Sequence, residues 1–396
     1  MPAAVGATTI SRVGGLLLIV PSGQRPAETA GRMIGGLPLL RRIVLAGTAA
    51  GFDDVLVRGD APSVGSLLEG TRATLVGEAS ATAPNSRRRV VVMPANVVPQ
   101  ARWLRTLLEQ PLGGETLSVD ESLVAVIETD EPAAIVVAAA RAKDVAALVS
   151  ALRSKFTVTL RPEDRDGRFV LLAPGDETRA ERWLLRSLIK QREGFMSRHV
   201  ERRISLAVTR RLAATAITPN AMTIVSATVG LIGALFFLSS TPPWPLIGAL
   251  LFLAHSILDG CDGELARLKF AQSRWGATLD FWGDNVVHVA VFACLAIGWS
   301  RDIGAAWPLL LGVSAAVGTV GAASVFFRRT MEDRVEASGA AVARLIDALG
   351  NRDFIYLVVL LAAFGHARWF LVAGAIGTPA FLLLALWLTG RHGRVR

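Results

Sequence analysis

Four aspartates stand within one short stretch, residues 258–285, LDGCDGELARLKFAQSRWGATLDFWGDN. Asp259 and Asp262 are three residues apart, and Asp280 and Asp284 are four apart. On a helix either interval returns the chain to the same side, so each pair projects from one face. Two such faces brought together form an all-oxygen cage. Oxygen-only ligation suits hard cations, Mg²⁺ or Mn²⁺, and four carboxylates have room for two ions about 3.5–4 Å apart. Two cations suit phosphoryl chemistry, in which a diphosphate is clamped while a nucleophile attacks in line. Gly263 and Gly276 leave space beside the carboxylates for a nucleotide or a neighbouring backbone. Arg267 can meet phosphate oxygens with a fork of donors that lysine lacks.

The helices that must carry these acids are apolar. The chain has 396 residues, 52% of them hydrophobic, which fits two domains, one of them in a membrane. Residues 1–220 carry frequent Arg, Asp and Glu, whereas 221–258 hold no charge before Asp259. This shift places a boundary within 190–220 and divides the chain into 1–190, a linker at 191–220, and 221–396. The last part parses into six spans, 221–239, 244–258, 277–299, 305–327, 353–366 and 369–389, joined by brief loops. Two are shorter than the roughly 20 residues a crossing needs. The second is expected to continue through the aspartate motif, and the fifth to begin before Arg352. Aspartate near the centre of a membrane helix costs about 2.5–3.5 kcal/mol. Four of them at adjacent helix rims require a cation or a water-filled cavity in compensation.

The net charge of +9 is concentrated beside the apolar spans. Anionic lipid and topology explain such placement, and nucleic acid is not an expected partner. Arg198, Arg202, Arg203, Arg210 and Arg211 precede the first span. Arg267, Lys269 and Arg274 lie between the second and third, Arg328, Arg329, Arg334, Arg344 and Arg352 around the loop after the fourth, and Arg391, Arg394 and Arg396 in the tail. All these places share one side, while the opposite loops hold only Arg301 and Arg368. The positive-inside rule then makes both termini, the front domain and the aspartate site cytoplasmic. In 197–213 the spacing sets Val200, Ile204, Leu206 or Ala207, and Leu212 along one side and arginines on the other. This pattern suggests a juxtamembrane helix lying in the interface, or an ordinary linker helix. Trp244, Trp299, Trp307 and Trp387 sit near span ends, as interfacial tryptophans do. His255 and His288 read as packing or hydrogen-bonding residues. Cys261 and Cys294 lack the spacing of a metal cluster or disulfide framework.

In the front part, 14–20, 54–57, 74–76, 89–93, 123–127 and 168–172 are short branched-aliphatic runs. Helical periodicity fills intervals such as 37–51 and 101–110. Such alternation predicts an α/β domain with a largely parallel sheet of Rossmann type. Arg12 before GGLLLIV imitates a signal peptide, but the run has seven residues and reads better as a buried first strand.

The run Asp259-x-x-Asp262-Gly263-x-x-Ala266-Arg267, then eight residues, then Gly276-x-x-x-Asp280-x-x-x-Asp284 resembles the signature of the CDP-alcohol phosphatidyltransferase family at all eight fixed positions. The resemblance implies an all-α bundle of six transmembrane helices, a homodimer and a site open to the cytoplasm. It further implies that Asp259, Asp262 and Asp280 ligate metal, with Asp284 beside them as the base for the acceptor hydroxyl. A CDP-linked donor, such as CDP-diacylglycerol or CDP-inositol, would pass its substituted phosphate to an alcohol, phosphorylated or not, with release of CMP. Ile217-Thr218-Pro219-Asn220-Ala221-Met222-Thr223 resembles the family's helix-opening sequence, with Asn220 and Thr223 near the nucleotide. The alternative is a simple helix start, Thr218 capping before Pro219. Arg328, Arg329 and Arg334 resemble residues that hold a phosphorylated acceptor, and a basic flank explains them equally.

The segment from about 183 onward, with GFMSRHVERRIS and NRDFIYL, resembles a two-domain subgroup in which a nucleotidyltransferase-like domain precedes the membrane transferase. An active nucleotidyltransferase needs a glycine-rich loop, a lysine and a metal-binding acid. Here the loop is reduced to Pro21-Ser22-Gly23-Gln24-Arg25, no lysine precedes Lys143, and Ala95 and Asn96 stand where the acid is expected. A degenerate, non-catalytic front domain is expected, with a bifunctional enzyme as the alternative. A catalytically silent membrane scaffold and a cation transporter are the readings from other classes.

Overall fold

The run GGLLLIV forms strand β1 (Gly14–Val20), buried along nearly its whole length because it lies inside a sheet covered on both faces. The computed structural model describes residues 14–22, 26–59, 62–76, 87–162, 164, 166–189, 200–331 and 354–392. The chain divides into two units, Met1–Leu184 and Leu185–Arg396.

After β1 the first unit carries α1 (Pro26–Gly31), β2 (Met33–Ile34), β3 (Leu37–Pro38), α2 (Leu39–Ala50), β4 (Asp54–Arg58), α3 (Pro62–Leu67), β5 (Thr74–Val76), β6 (Arg88–Pro94), β7 (Val97–Pro99) and α4 (Ala101–Glu109). Then come β8 (Thr116–Val119), β9 (Ala125–Thr129), α5 (Pro132–Arg141), α6 (Val145–Arg153), β10 (Thr157–Leu160), β11 (Arg168–Val170) and α7 (Asp176–Ser187), in which the division falls. The main sheet runs β10-β8-β9-β6-β1-β4-β5. β1 pairs in parallel with β4 and β6, with Leu16 opposite Asp54 and Val90, and β4 pairs in parallel with β5. The parallel order β5-β4-β1-β6 is the doubly wound, Rossmann-type arrangement. β9 is the exception, antiparallel to β6 and β8, and its register places Glu128 opposite Arg89, with which it forms a 2.7 Å ion pair.

Two details depart from the sequence reading. The run at 168–172 does not join the main sheet. Arg168–Val170 pairs antiparallel with β7, because Leu171 exchanges hydrogen bonds with Asn96 that tie it there: its N–H donates to the Asn96 carbonyl, and its own carbonyl accepts from Asn96 Nδ2. β8 and β10 also escaped detection. β10 is an exposed edge strand with alternating Thr residues, so it lacks the continuous apolar run that marks a buried one. The Gly35-Gly36 turn between β2 and β3 has both φ values positive, 55° and 80°. Buried Arg42 secures it, donating to the Ile34 carbonyl at 2.8 and 3.1 Å and to that of Gly35 at 3.1 Å. Burial lowers the Arg42 pKa to about 10.

The second unit is helical: α8 (Arg202–Ala213), α9 (Pro219–Phe236), α10 (Trp244–Leu268), α11 (Arg274–Ile303), α12 (Trp307–Met331), α13 (Phe354–Ala363) and α14 (Arg368–His392). Among the described residues, α9, α10, α11, α12 and α14 are long and apolar enough to cross a membrane. α10 continues unbroken through the aspartate motif to Leu268. α13 is shorter, ten residues of strongly apolar sequence. The expected start of that span before Arg352 lies outside the described residues.

Small residues let the helices approach. A Cβ on Gly248 in α10 would lie 2.8 Å from the Gly233 carbonyl oxygen in α9 and 3.2 Å from Phe236 Cβ. Backbone contact of this kind is how helices gain dispersion energy where the surrounding lipid offers no hydrophobic drive. Gly248→Val is expected to cost about 1–3 kcal/mol and lower the unfolding temperature in detergent. Gly377→Ala, at a site where a Cβ meets nothing within 4 Å, is the control and should leave that temperature unchanged.

Candidate active site

Each helix that builds the site is started or stopped by a local device. Thr218 Oγ1 accepts from Ala221 N at 3.2 Å and caps α9, with Pro219 in the first turn. Ser273 Oγ accepts from Gly276 N at 3.0 Å and caps α11. Between α10 and α11 the chain reverses through Phe270 at φ 54°. Lys269 Nζ donates to the Thr215 carbonyl at 2.8 Å and the Ile217 carbonyl at 3.3 Å, tying the end of α10 to the entry of α9.

This framework brings Asp259 and Asp262 of α10 together with Asp280 of α11. One oxygen from each lies within 4.8 Å of the others. Asp259 and Asp262 are each 5% exposed. Carboxylates this close in a low-dielectric setting repel strongly, and a cation among them reverses the sign of the interaction. The donor set is all oxygen and convergent, which fits a hard divalent ion. Asp284, one turn along α11 from Asp280, is held differently: its Oδ1 lies 3.3 Å from Nε2 of His255.

The remaining predicted residues fall around this group. Thr223 Oγ1 donates to Asp262 Oδ2, so the hydroxyl assigned by resemblance to the nucleotide also orients a carboxylate. Asn220 lies against Gly276, where a Cβ would come within 2.8 Å of Asn220 Oδ1. Thr218 thus caps α9 while Asn220 and Thr223 face the motif. A Cβ on Gly263 would sit 3.1 Å from an Arg267 guanidinium nitrogen, so the arginine folds back over the glycine. The Ala266 carbonyl accepts from Ala271 N at 2.9 Å, helping to close α10. Arg328 is exposed near the end of α12. Arg329 lies in the same turn, its side chain outside the described residues, as is Arg334.

Sequence reasoning passed over Glu264, which is fully buried. It accepts from Arg202 Nη1 at 2.6 Å, Ser205 Oγ at 2.7 Å and Thr209 Oγ1 at 2.6 Å, all on α8. The signal was present on both sides. Glu264 is two residues past Asp262, about 200° around the helix, so it must point away from the aspartates. Arg202, Ser205 and Thr209 follow one helical stripe. The face of α8 turned to α10 is the small polar stripe Ser205, Thr209 and Ala213, whereas Val200 and Ile204 of the apolar stripe are exposed, the side an interfacial helix would turn to lipid. A buried carboxylate demands hydrogen bonds, and that demand outweighs the apolar stripe in choosing which side of α8 packs on α10.

Residues 216–380 match the CDP-alcohol phosphatidyltransferase family. The match falls on the unit that carries the helices long and apolar enough to cross a membrane. The chain is similar to the bifunctional IPC transferase and DIPP synthase of Aquifex aeolicus, 29% identical over 217 residues that cover 54% of this chain and 49% of that protein. The protein of the same name from Thermococcus kodakarensis is 41% identical over 124 residues, 31% of this chain and 28% of its own length. The chain therefore spans less than half the length of these relatives. A crystal structure of Mycobacterium tuberculosis phosphatidylinositol phosphate synthase with CDP-DAG bound aligns with 47% of this chain and 94% of its own, at 23% identity and a TM-score of 0.34.

Glu264→Ala removes the acceptor shared by three α8 donors. It is expected to cost on the order of 3 kcal/mol, seen as a lower unfolding temperature in detergent and faster tryptic cleavage at the arginines of α8.

Proposed function

We propose that the protein transfers a substituted phosphate from a CDP-linked donor, such as CDP-diacylglycerol or CDP-inositol, to an alcohol acceptor, releasing CMP. The observation that carries this reading is the convergence of Asp259, Asp262 and Asp280 within 4.8 Å, with Asp284 one turn away on α11. Asp259, Asp262 and Asp280 would hold divalent metal, Mg²⁺ or Mn²⁺, which when bound supplies neutralising charge for a diphosphate. A pair of ions, with Asp284 contributing to the second, is the fuller form of the proposal. Asn220, Thr223, Gly263, Ala266, Arg267 and Gly276 line the nucleotide and phosphate side. Arg328, Arg329 and Arg334 are the proposed contacts for a phosphorylated acceptor.

In the reaction the acceptor oxygen forms a bond to the phosphorus that carries the donor's alcohol. The bond from that phosphorus to the oxygen bridging to CMP breaks, and CMP leaves with the electron pair. Asp284 takes the proton of the acceptor hydroxyl, and fixed placement makes a carboxylate effective in this role. The arginine distribution supports a cytoplasmic site and cytoplasmic termini, and the family resemblance supports a homodimer through the membrane domain.

The front unit is proposed to be a nucleotidyltransferase-like fold without catalysis. Ligands of doubly wound sheets bind outside the carboxyl ends of the central strands. There β6 is followed by buried Ala95 and by Asn96, whose carboxamide is committed to the Leu171 carbonyl at 3.0 Å. With CTP and a phosphorylated alcohol, the purified protein should release no pyrophosphate. Release would restore the bifunctional reading.

In nanodiscs with Mg²⁺ or Mn²⁺, CMP release is expected for one pair drawn from CDP-diacylglycerol and CDP-inositol donors and a panel of alcohols. Asp284→Asn should lower turnover by about 10²- to 10⁴-fold while the Mn²⁺ held by Asp259, Asp262 and Asp280 stays bound, and Asp259→Asn should weaken the binding of that ion itself. Full turnover in Asp284→Asn, or CMP release from no pair, would sink the proposal.

A further inference from the structure

We infer that Thr223 is a positioning residue for Asp262, holding the carboxylate of a metal ligand and acting on the nucleotide side only through it. The inference rests on the phosphotransfer reading for the ion, though not for the contact. Thr223 stands one turn into α9 and is 4% exposed, so it has almost no surface to offer a ligand. Its hydroxyl carries a single hydrogen and has two acceptors within reach: the Pro219 carbonyl one turn back, at 3.3 Å, and Asp262 Oδ2, the nearer of the two. A carboxylate is also the stronger acceptor, so the hydrogen goes to Asp262.

Asp262 is thereby fixed at both oxygens: Oδ2 accepts from Thr223, and Oδ1 from the backbone N–H of Gly263. A carboxylate engaged at both ends is restrained from turning about its terminal bond. The oxygen that lies within 4.8 Å of those of Asp259 and Asp280 therefore keeps its place. The remainder of the side chain explains why threonine suits the position. A Cβ on Gly283 of α11 would lie 3.9 Å from Thr223 Cγ2, so the methyl faces α11 while the hydroxyl faces α10. Branching at Cβ makes the side chain stiff, and the methyl against α11 favours the rotamer that delivers the hydroxyl to Asp262. One short residue of α9 thus touches both helices that carry the aspartates. Hydrogen-bond partners of ligating carboxylates orient them toward the ion, and their loss typically costs about 10- to 100-fold in metal affinity or activity.

Two substitutions separate this role from packing and from a nucleotide contact. Valine keeps the shape and the methyl but removes the donor, whereas serine keeps the donor and removes the methyl. With the full-length protein in nanodiscs, Mn²⁺ affinity, read from the paramagnetic resonance of free Mn²⁺, is expected to fall about 10- to 100-fold in Thr223→Val. Thr223→Ser should recover most of it, and CDP affinity at saturating Mn²⁺ should match wild type in both. Unchanged Mn²⁺ affinity in Thr223→Val would overturn the inference, and an equal loss in Thr223→Ser would overturn it in favour of packing. Weakened CDP binding with Mn²⁺ affinity intact would overturn it in favour of a direct nucleotide contact. Aspartate carboxyl ¹³C resonances of the metal-free protein give a readout that needs neither ion nor turnover. The Asp262 signal, identified by its absence in Asp262→Asn, should move in Thr223→Val, and an unmoved signal overturns the contact. Protein that shows the expected Mn²⁺ losses, yet releases no CMP from any donor and acceptor, would defeat the phosphotransfer reading and leave the positioning role standing.

Discussion

Three carboxylate oxygens, from Asp259, Asp262 and Asp280, sit within 4.8 Å of one another on helices long and apolar enough to cross a membrane. Left to themselves these groups repel, and the low dielectric around them magnifies the repulsion. The helices are also held together by interactions independent of the acids. Those interactions are the contact of Gly233 with Gly248, the Lys269 tie to the α9 entry and the Thr218 and Ser273 caps. The scaffold thus stores an unfavourable electrostatic arrangement that a divalent cation relieves. This is a common physical basis for tight ion binding by a preformed site.

The same scaffold determines where a ligand can approach. Gly263 and Gly276 flank the aspartates, but the space they leave is not simply open. Arg267 folds over the first and Asn220 lies against the second. Both neighbours are polar, a guanidinium donor at Gly263 and the Asn220 Oδ1 acceptor at Gly276, so the absence of a side chain brings hydrogen-bonding groups against the backbone next to the carboxylates. Thr223, bonded to Asp262, extends that polar rim onto α9. Glycine in these positions therefore lets polar side chains come close to the backbone beside the carboxylates.

Much of this was legible in the residues. Intervals of three and four placed the aspartates on shared faces, and the interval across Gly276 brought two helices into one signature. What periodicity could not supply was the identity of partners across helices. His255 was read as a hydrogen-bonding residue without its acceptor, because the Ser226 carbonyl and Asp284 are far from it in sequence. In the front unit the strands with uninterrupted aliphatic runs were visible. Strand direction was not, since β9 reads locally like its parallel neighbours and its reversal depends on the path of the chain between β8 and β9. The pairing of β11 with β7 was hidden for a similar reason, residing in the Asn96 hydrogen bonds rather than in any run of aliphatic residues.

Buried acids on one helix serve two ends, and the kind of partner distinguishes them. Glu264 faces a guanidinium and two hydroxyls on α8, a complete set of donors within the fold. Such a group is structural, and its value lies in specifying which face of α8 docks. In principle a matched apolar set could replace it together with Arg202, Ser205 and Thr209, since a buried ion pair often adds little over well-packed hydrophobic contacts. Asp259, Asp262 and Asp280 instead face one another. No rearrangement of apolar side chains could take over that role, because what they share is negative charge concentrated at a point. Selection for docking alone would have removed the second kind of acid while tolerating the first. That both kinds occur within six residues of α10, from Asp259 to Glu264, argues that this helix is fixed in place on one side so that chemistry can occur on the other.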